Sequence, residues 1–290
     1  MPDVTVAHAP RLTPDGHAAP SGAYDGRELD LPSSDDEVLD RLADLGFSSL
    51  AQRLDPERVA ALRAAVARVR EREGHGDGAE ALHILSLFEL DPVFVDLVDW
   101  PPMLGPVTTA LSPNIHIHHS HLDVHPPGSS TVPGGWHRDG GVQGRDMRLL
   151  PARQPRLAVK AAVFLTDVDR PGDGAFELVP CSHRDDGLPE RTTEPTTIQP
   201  LALPAGTIAL FDTRCLHRRG ANTQDRTREA VFFTYTYRWI TSRDDLYEHH
   251  PEWQALSPLR RQLLCDPMWE PFYPKPGELP LDAWVAESAG

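Results

Sequence analysis

Apolar residues recur at helical spacing in the first third of the chain and at strand spacing in the middle. Ser34 to Glu37 has the spacing of a capping box, and Val38, Leu39, Leu42 and Leu45 follow on one face before Gly46 stops the run. A second helix opens with Asp55 as N-cap and Pro56 at the first helical position, places Val59, Leu62, Val66 and Val69 on one stripe, and ends near Gly74. Asp91-Pro92 predicts the start of a third helix, and 102–111 a fourth. After Pro113 the texture changes to short β-type runs at 114–125, 157–165, 175–180, 207–212 and 228–240, separated by Gly- and Pro-rich loops. With few helices between these strands, a doubly wound parallel sheet is disfavoured and an antiparallel barrel or jelly roll is expected. The expected organisation is a flexible tail at 1–30 and one domain at 31–290. That domain comprises a helical preface at 34–111, a β core at 114–240 and a C-terminal helical extension at 243–290.

Composition narrows the partners. The 290 residues carry 28 basic and 43 acidic side chains, a formal net charge of −15, which repels phosphate backbones and anionic lipid. No apolar run approaches the roughly 18 residues of a membrane span, and the N-terminus lacks the basic start and apolar middle of a secretory signal. A cytoplasmic protein acting on a small molecule is expected, with no nucleic-acid or membrane partner, as a monomer or homodimer. The three cysteines, Cys181, Cys215 and Cys265, have no CxxC spacing and read as reduced, mostly buried thiols. The only lysines are Lys160 and Lys275, so the balance argues against a coenzyme A thioester, whose phosphates want a basic patch.

Candidate chemistry begins with five histidines in Asn114 to His125. Strict alternation puts Ile115, Ile117, His119, His121, Asp123 and His125 on one face and His116, His118, Ser120, Leu122 and Val124 on the other. His116 and His118 form an HxH pair, read more simply as strand histidines than as metal ligands because no acidic third ligand stands at a fixed spacing. His119 and His121 on a barrel-facing surface imply a wet pocket.

Trp136-His137-Arg138-Asp139-Gly140-Gly141 carries the sharper signal. In an extended HxD the imidazole and carboxylate project to one side and serve one ion, and a further histidine completes the two-histidine, one-carboxylate set of non-haem Fe(II) oxygenases. His217, 80 residues after His137 and just past the strand GTIALFD, is the candidate. Arg228, eleven residues later at the start of the last long strand, faces the interior and offers a planar fork to a carboxylate. Beyond it Ala230, Phe232, Thr234, Thr236 and Arg238 point inward, and Arg238 is expected to meet an anionic substrate. Arg138 is either a solvated loop arginine or a substrate-binding group. The segment 141–156 is expected to act as a lid.

These patches resemble the phytanoyl-CoA dioxygenase-like family of Fe(II)- and 2-oxoglutarate-dependent oxygenases over roughly 35 to 240. WHRDGG is similar to the family's WHxD segment, and Asp173 to His183 (DGAFELVPCSH) to its NGxLxxxPGSH turn and strand. His217 with Gly220, Asn222 and Arg228 resembles its HxxGxNxSxxxR. Cys181 stands where glycine is usual, Arg219 where a small residue is common, and Arg138 where Gln is frequent. The resemblance implies a mainly β, double-stranded β-helix (jelly roll, cupin-like) core with flanking helices at both ends. It implies His137, Asp139 and His217 as iron ligands, Arg228 as partner of the 2-oxoglutarate C5 carboxylate, and His121 near that cosubstrate. The implied cofactors are Fe(II), 2-oxoglutarate and O2. The implied reaction is hydroxylation of an unactivated C–H of a small metabolite, such as a natural-product intermediate or an amino acid, with release of succinate and CO2. Asp139 fills the position that family-like halogenases leave to chloride, which favours hydroxylation, while desaturation or cyclisation stays open. Zinc hydrolysis on the same His-Asp-His set and a metal-independent jelly-roll binding module are the alternatives.

Overall fold

In the computed structural model, residues 30–75, 80–130, 135–139, 146–187, 194–244 and 253–288 are described. The expected tail at 1–30, save its last residue, and the first part of the expected lid, 141–145, lie outside them.

The preface holds helices α1 (Asp35–Asp44), α2 (Pro56–Arg72), α3 (Leu87–Leu90) and α4 (Pro101–Ala110). Local chemistry sets the ends of the first two. The Ser34 hydroxyl accepts from the Glu37 N–H at 3.3 Å, and the Asp55 carboxylate accepts from the Arg58 N–H at 2.7 Å with Pro56 following it. Asp91 caps a 3-10 turn, Pro92–Leu97, rather than the α-helix its Asp-Pro pair predicts. The preface is also less purely helical than its periodicity suggests, because β1 (Phe47–Ser49) and β2 (Leu82–Leu85) lie within it. Runs of three and four residues are too short to show a period of two. Pairing decides them instead: they form the two edges of the large sheet.

The core strands are β3 (Ile115–His125), β4 (Ala158–Phe164), β5 (Phe176–Leu178), β6 (Gln199–Leu201), β7 (Ile208–Asp212), β8 (His217–Arg219) and β9 (Arg228–Tyr237). The large sheet has the order β1-β7-β4-β9-β3-β2 and the small one β6-β5-β8, with antiparallel pairing in both. This is the expected jelly-roll core. Helices α5 (Pro258–Leu263) and α6 (Pro280–Ser288) follow it. No described helix is long and apolar enough to cross a membrane.

The large sheet is buried on both faces. Val159, Ala161 and Val163 of β4 and Val231, Phe233 and Tyr235 of β9 join the helices in the main core. The alternate residues Ala162, Phe164, Ala230 and Phe232 meet Phe176 and Leu178 of the small sheet in a second core. The site lies on this second face, between the sheets.

One strand departs from simple alternation. β3 shifts register against β9 between Ile117 and His119. The bulge restores Ile115 and Ile117 to the helix side with Leu122 and Val124, while His118, His119, His121 and Asp123 line the cavity. The expectation that Ile115 and Ile117 share a face with His119 is therefore corrected: an extra residue inverts the parity. The HxH pair is split too. His116 packs on Cys265 with its Nδ1 3.2 Å from Sγ, and His118 Nδ1 donates to the Thr241 carbonyl at 3.0 Å. Of the three thiols, Cys215 is buried, whereas Cys181 and Cys265 are half-buried.

Candidate metal centre

His137 and His217 face each other across an isolated antiparallel bridge in which each N–H donates to the other's carbonyl at 3.0 Å. This exchange joins two segments 80 residues apart, and Asp139 projects beside them. Nε2 of His137 lies 3.8 Å from one Asp139 oxygen and Nε2 of His217 lies 3.7 Å from the other. One ligand atom from each residue falls within a 4.8 Å set. Neighbouring donors around an ion with bonds of about 2.1 Å sit about 3 Å apart, so small side-chain shifts close the set.

The rings are oriented from behind. His137 Nδ1–H donates to the Gly135 carbonyl and His217 Nδ1–H to the Cys215 carbonyl, each at 2.9 Å and each two residues back. Both Nε2 lone pairs are thereby left for an ion, as in metal sites whose histidines spend the other nitrogen on a carbonyl. Burial pushes the His217 imidazole down to about 3, which keeps it neutral and ligating. Phe176 and Phe211 lie against its ring at centroid distances of 5.3 and 5.0 Å. Burial alone would raise the Asp139 carboxyl, but the Lys160 ammonium and the two imidazoles outweigh it and hold the group well below the usual carboxylate range.

Lys160 is the residue that sequence reasoning missed. Its Nζ donates to Asp139 at 2.9 Å, and its side chain is only 6% exposed. The signal was present as a lone charge in the apolar run LAVKAAVF, on the parity that faces the cavity.

The turns around Gly174, Ser182 and Asn222 explain how the second half of the site is built. Asn222, fully buried, donates to the carbonyls of His125 at 2.8 Å and Arg226 at 2.9 Å, tying the end of β3 to the start of β9. Gly174 has φ +80, and a Cβ there would stand 3.3 Å from Cβ of Arg228. Ser182 accepts from the Leu216 N–H at 2.8 Å, fixing the entry to β8. Cys181 holds a φ of +63, the left-handed conformation that accounts for glycine being usual there.

These contacts deliver Arg228 into the interior at 0% exposure, with Nε and both terminal nitrogens lacking any hydrogen-bond partner among the described residues. Burial pulls this guanidinium down to about 10, although Asp123 nearby favours its charged form. An unpaired buried guanidinium is costly, and a carboxylate is the ligand that satisfies it. His121 stacks on Phe232 at 4.5 Å between centroids and has an unpartnered Nδ1. A second group, His83, His121 and Asp123, also has metal-ligand spacing. His83 Nδ1 already lies 2.8 Å from Asp123, and Arg219 stands 3.9 Å from the same carboxylate, so guanidinium charge takes the place of a cation there.

Two expected substrate contacts are corrected. Arg138 turns away from the cavity and donates to the carbonyls of Arg214, Ser182 and Asp185 at 2.9, 3.2 and 3.4 Å, staying 8% exposed. Neighbours in an HxD point oppositely, so the ligand spacing itself sends Arg138 to the far side. Arg238 lies past the end of β9, where inward parity stops. It donates to the carbonyls of Glu270, Asp266 and Trp269, locking the C-terminal extension to the sheet. Phe232, Thr234 and Thr236 do line the cavity as expected. The described part of the expected lid, 146–156, lines none of it: Ala152 N–H donates to Asp186 and Arg156 pairs with Asp212.

Comparison with known proteins agrees with this geometry. The family model described as phytanoyl-CoA dioxygenase matches residues 44–230. An uncharacterized protein of Mycobacterium tuberculosis, Rv1501, is 26% identical over 72% of this chain and 78% of its own length. HygX of Streptomyces hygroscopicus, solved with nickel and 2-oxoglutarate bound, superposes with a TM-score of 0.60 at 20% identity, over 73% of this chain and 90% of that one. SnoK, a non-heme alpha ketoglutarate dependent carbocyclase from nogalamycin biosynthesis, superposes with a TM-score of 0.55 at 20% identity, over 78% and 94%. With its family model matched over more than half its length, the chain belongs to the phytanoyl-CoA dioxygenase family and is an Fe(II)- and 2-oxoglutarate-dependent oxygenase.

Proposed function

We propose that the protein hydroxylates an unactivated C–H of a small metabolite, a natural-product intermediate or an amino acid, with His137, Asp139 and His217 as the iron ligands. The observation that carries the reading is the pairing of a two-histidine, one-carboxylate set lining the cavity with an orphaned buried arginine behind its wall. Bound iron with 2-oxoglutarate supplies oxidation of a C–H by O2, with succinate and CO2 as co-products. The chain's own residues do the rest. The Gly135 and Cys215 carbonyls aim the two imidazoles. Arg228 takes the far carboxylate of the cosubstrate, and His121, flat against Phe232, flanks it. Phe176, Phe211 and Phe232 form an apolar wall that keeps water from the reacting side.

A cavity of about 420 Å³ must hold cosubstrate and substrate together, which favours a small substrate. The likeness to an enzyme of nogalamycin biosynthesis supports a place in specialised metabolism. A zinc hydrolase has no use for the orphaned Arg228, and a metal-free binding module none for two imidazoles aimed at a common point. Anaerobic titration with Fe(II) and 2-oxoglutarate tests the reading: a visible metal-to-ligand charge-transfer band is expected, followed by 2-oxoglutarate-dependent O2 consumption. Absence of the band in folded protein refutes it.

A further inference from the structure

The chain is acidic overall, yet the cavity is not. Among the described residues Lys160, Arg218, Arg219 and Arg243 line it against two carboxylates, Asp123 and Asp139; Arg218 is paired with Glu177 and Glu194 outside the lining, and Arg228 stands behind its wall. Fe(II) and 2-oxoglutarate carry opposite and equal charge and leave this surplus of positive charge unchanged.

Sheet register shows where the surplus sits. Inward rows run across β3, β9 and β4: His125 beside Arg228, then Asp123, Ala230 and Phe164, then His121, Phe232 and Ala162, then His119, Thr234 and Lys160. Six residues of β9 separate Arg228 from Thr234, about 20 Å of strand. The Lys160 row is therefore at the opposite end of the cavity from the arginine that takes the cosubstrate.

Three groups in that row have unspent hydrogen-bonding capacity. Lys160 has three N–H donors, and among the described residues its only hydrogen-bond partner is Asp139. Among the described residues, Thr234, 3% exposed, has an unpartnered Oγ1, and His119 an unpartnered Nδ1. Arg243 lines the mouth of the same end. Backbone amides of β3, β4 and β9 are taken up by ladder pairing or, at Ser120, by the Asp244 carboxylate, so these strands offer no amide nest for a phosphate dianion. One ammonium, one hydroxyl and one imidazole suit a monoanion.

We propose that this end of the cavity is a carboxylate-recognition subsite for the substrate, with Lys160 as the anchoring cation, Thr234 and His119 as neutral partners and Arg243 at the entrance. The substrate class is a small carboxylic acid, and Lys160 links its carboxylate to that of Asp139. Specificity follows from an asymmetry: a neutral analogue leaves the buried ammonium without its second partner, whereas the acid satisfies it.

The inference rests on the oxygenase reading above, and one experiment separates the two. Protein loaded with Ni(II) and saturating 2-oxoglutarate, which blocks the Arg228 end, is challenged with a mixed library of small carboxylic acids and their primary amides. Retained compounds are identified by mass spectrometry, with retained 2-oxoglutarate measured in the same sample. Acids are expected among the retained compounds, with their amides at least tenfold weaker. Retention should fall at least tenfold in Lys160→Met, which keeps an unbranched apolar side chain but removes the ammonium, and recover in part in Lys160→Arg. Thr234→Val, nearly isosteric, should weaken the same acids severalfold while 2-oxoglutarate retention holds, a second test should Lys160→Met fail to fold. If wild-type protein retains no 2-oxoglutarate, the oxygenase reading fails. If it retains 2-oxoglutarate but holds no acid, holds amides equally well, or holds acids unchanged in folded Lys160→Met, the carboxylate subsite is refuted.

Discussion

Replacing Arg228 by Gln should weaken cosubstrate binding while making the ligand-free protein no less stable, a combination that separates a binding group from a structural one. In the ligand-free protein the guanidinium is completely buried and makes no hydrogen bond among the described residues. Its drop from 12.5 to about 10 corresponds to a penalty on the order of 3 kcal/mol for keeping the charge inside. Gln removes that penalty and keeps the stem that packs against Gly174. Lost packing offsets part of the gain, so the melting temperature should stay level or rise by a few degrees. In the complex, the 2-oxoglutarate carboxylate loses a charge-assisted bidentate partner, a cost of about 2 to 4 kcal/mol and thus roughly a 30- to 1000-fold rise in Kd. Calorimetric titration of 2-oxoglutarate into Mn(II)-loaded protein, beside differential scanning fluorimetry of the ligand-free form, measures both. Arg226→Gln serves as control, since Arg226 is exposed and pairs with Asp169 on the surface. An unchanged Kd for Arg228→Gln, or a loss of more than about 2 kcal/mol in the ligand-free protein, would refute the reasoning.

Asp139→Ala should abolish turnover and lower metal affinity by more than the roughly 10- to 100-fold cost of losing a group that merely orients a ligand; equilibrium dialysis checks it, and near wild-type affinity argues against the triad. Arg138→Ala should act on stability, by about 1 to 3 kcal/mol, because it strips the carbonyls of Arg214, Ser182 and Asp185 of a donor, that of Ser182 buried; urea unfolding is the measurement, and a variant of full stability with altered substrate affinity would return Arg138 to the substrate. Burial takes His116 and His183 from 6.5 down to about 4, so between those pH values the unfolded chain binds more protons than the folded one. Stability from these groups is complete above pH 6.5 and is lost as pH falls toward 4, and a metal-free protein with a flat stability profile over that window would contradict it. Asp55→Ala should cost about 1 kcal/mol through loss of the α2 cap, measurable as a small drop in the urea midpoint.

Much of the molecule was legible before folding because the relevant forces are local. Ser34 and Asp55 are followed by apolar stripes, and helices begin where those caps allow. HxD aligns two side chains within three residues, so two of the three converging metal-binding groups needed no tertiary information. His217 and Arg228 were legible as candidates, but what brings them to the HxD is long-range: His217 bridges His137 across 80 residues, and Asn222 bonds to His125, 97 residues away.

The residues that could not be read depend on pairing rather than on pattern. A strand of three residues such as β1 or β8 is defined by its neighbour, not by its own period. The bulge in β3 has no sequence mark, yet one unpaired residue decided that Ile117 belongs to the helices and His119 to the cavity. Arg138 and Arg238 were misplaced for the same reason: an arginine can reach about as far in either direction, and only the packed structure shows which carbonyls it meets. The sequence by itself determined the strand-rich class, the helix caps and the chemistry of the metal ligands. Only the tertiary structure decided that a chain of net charge −15 encloses a positive cavity, because charge inside is set by which few side chains the sheet parity turns inward and not by their sum.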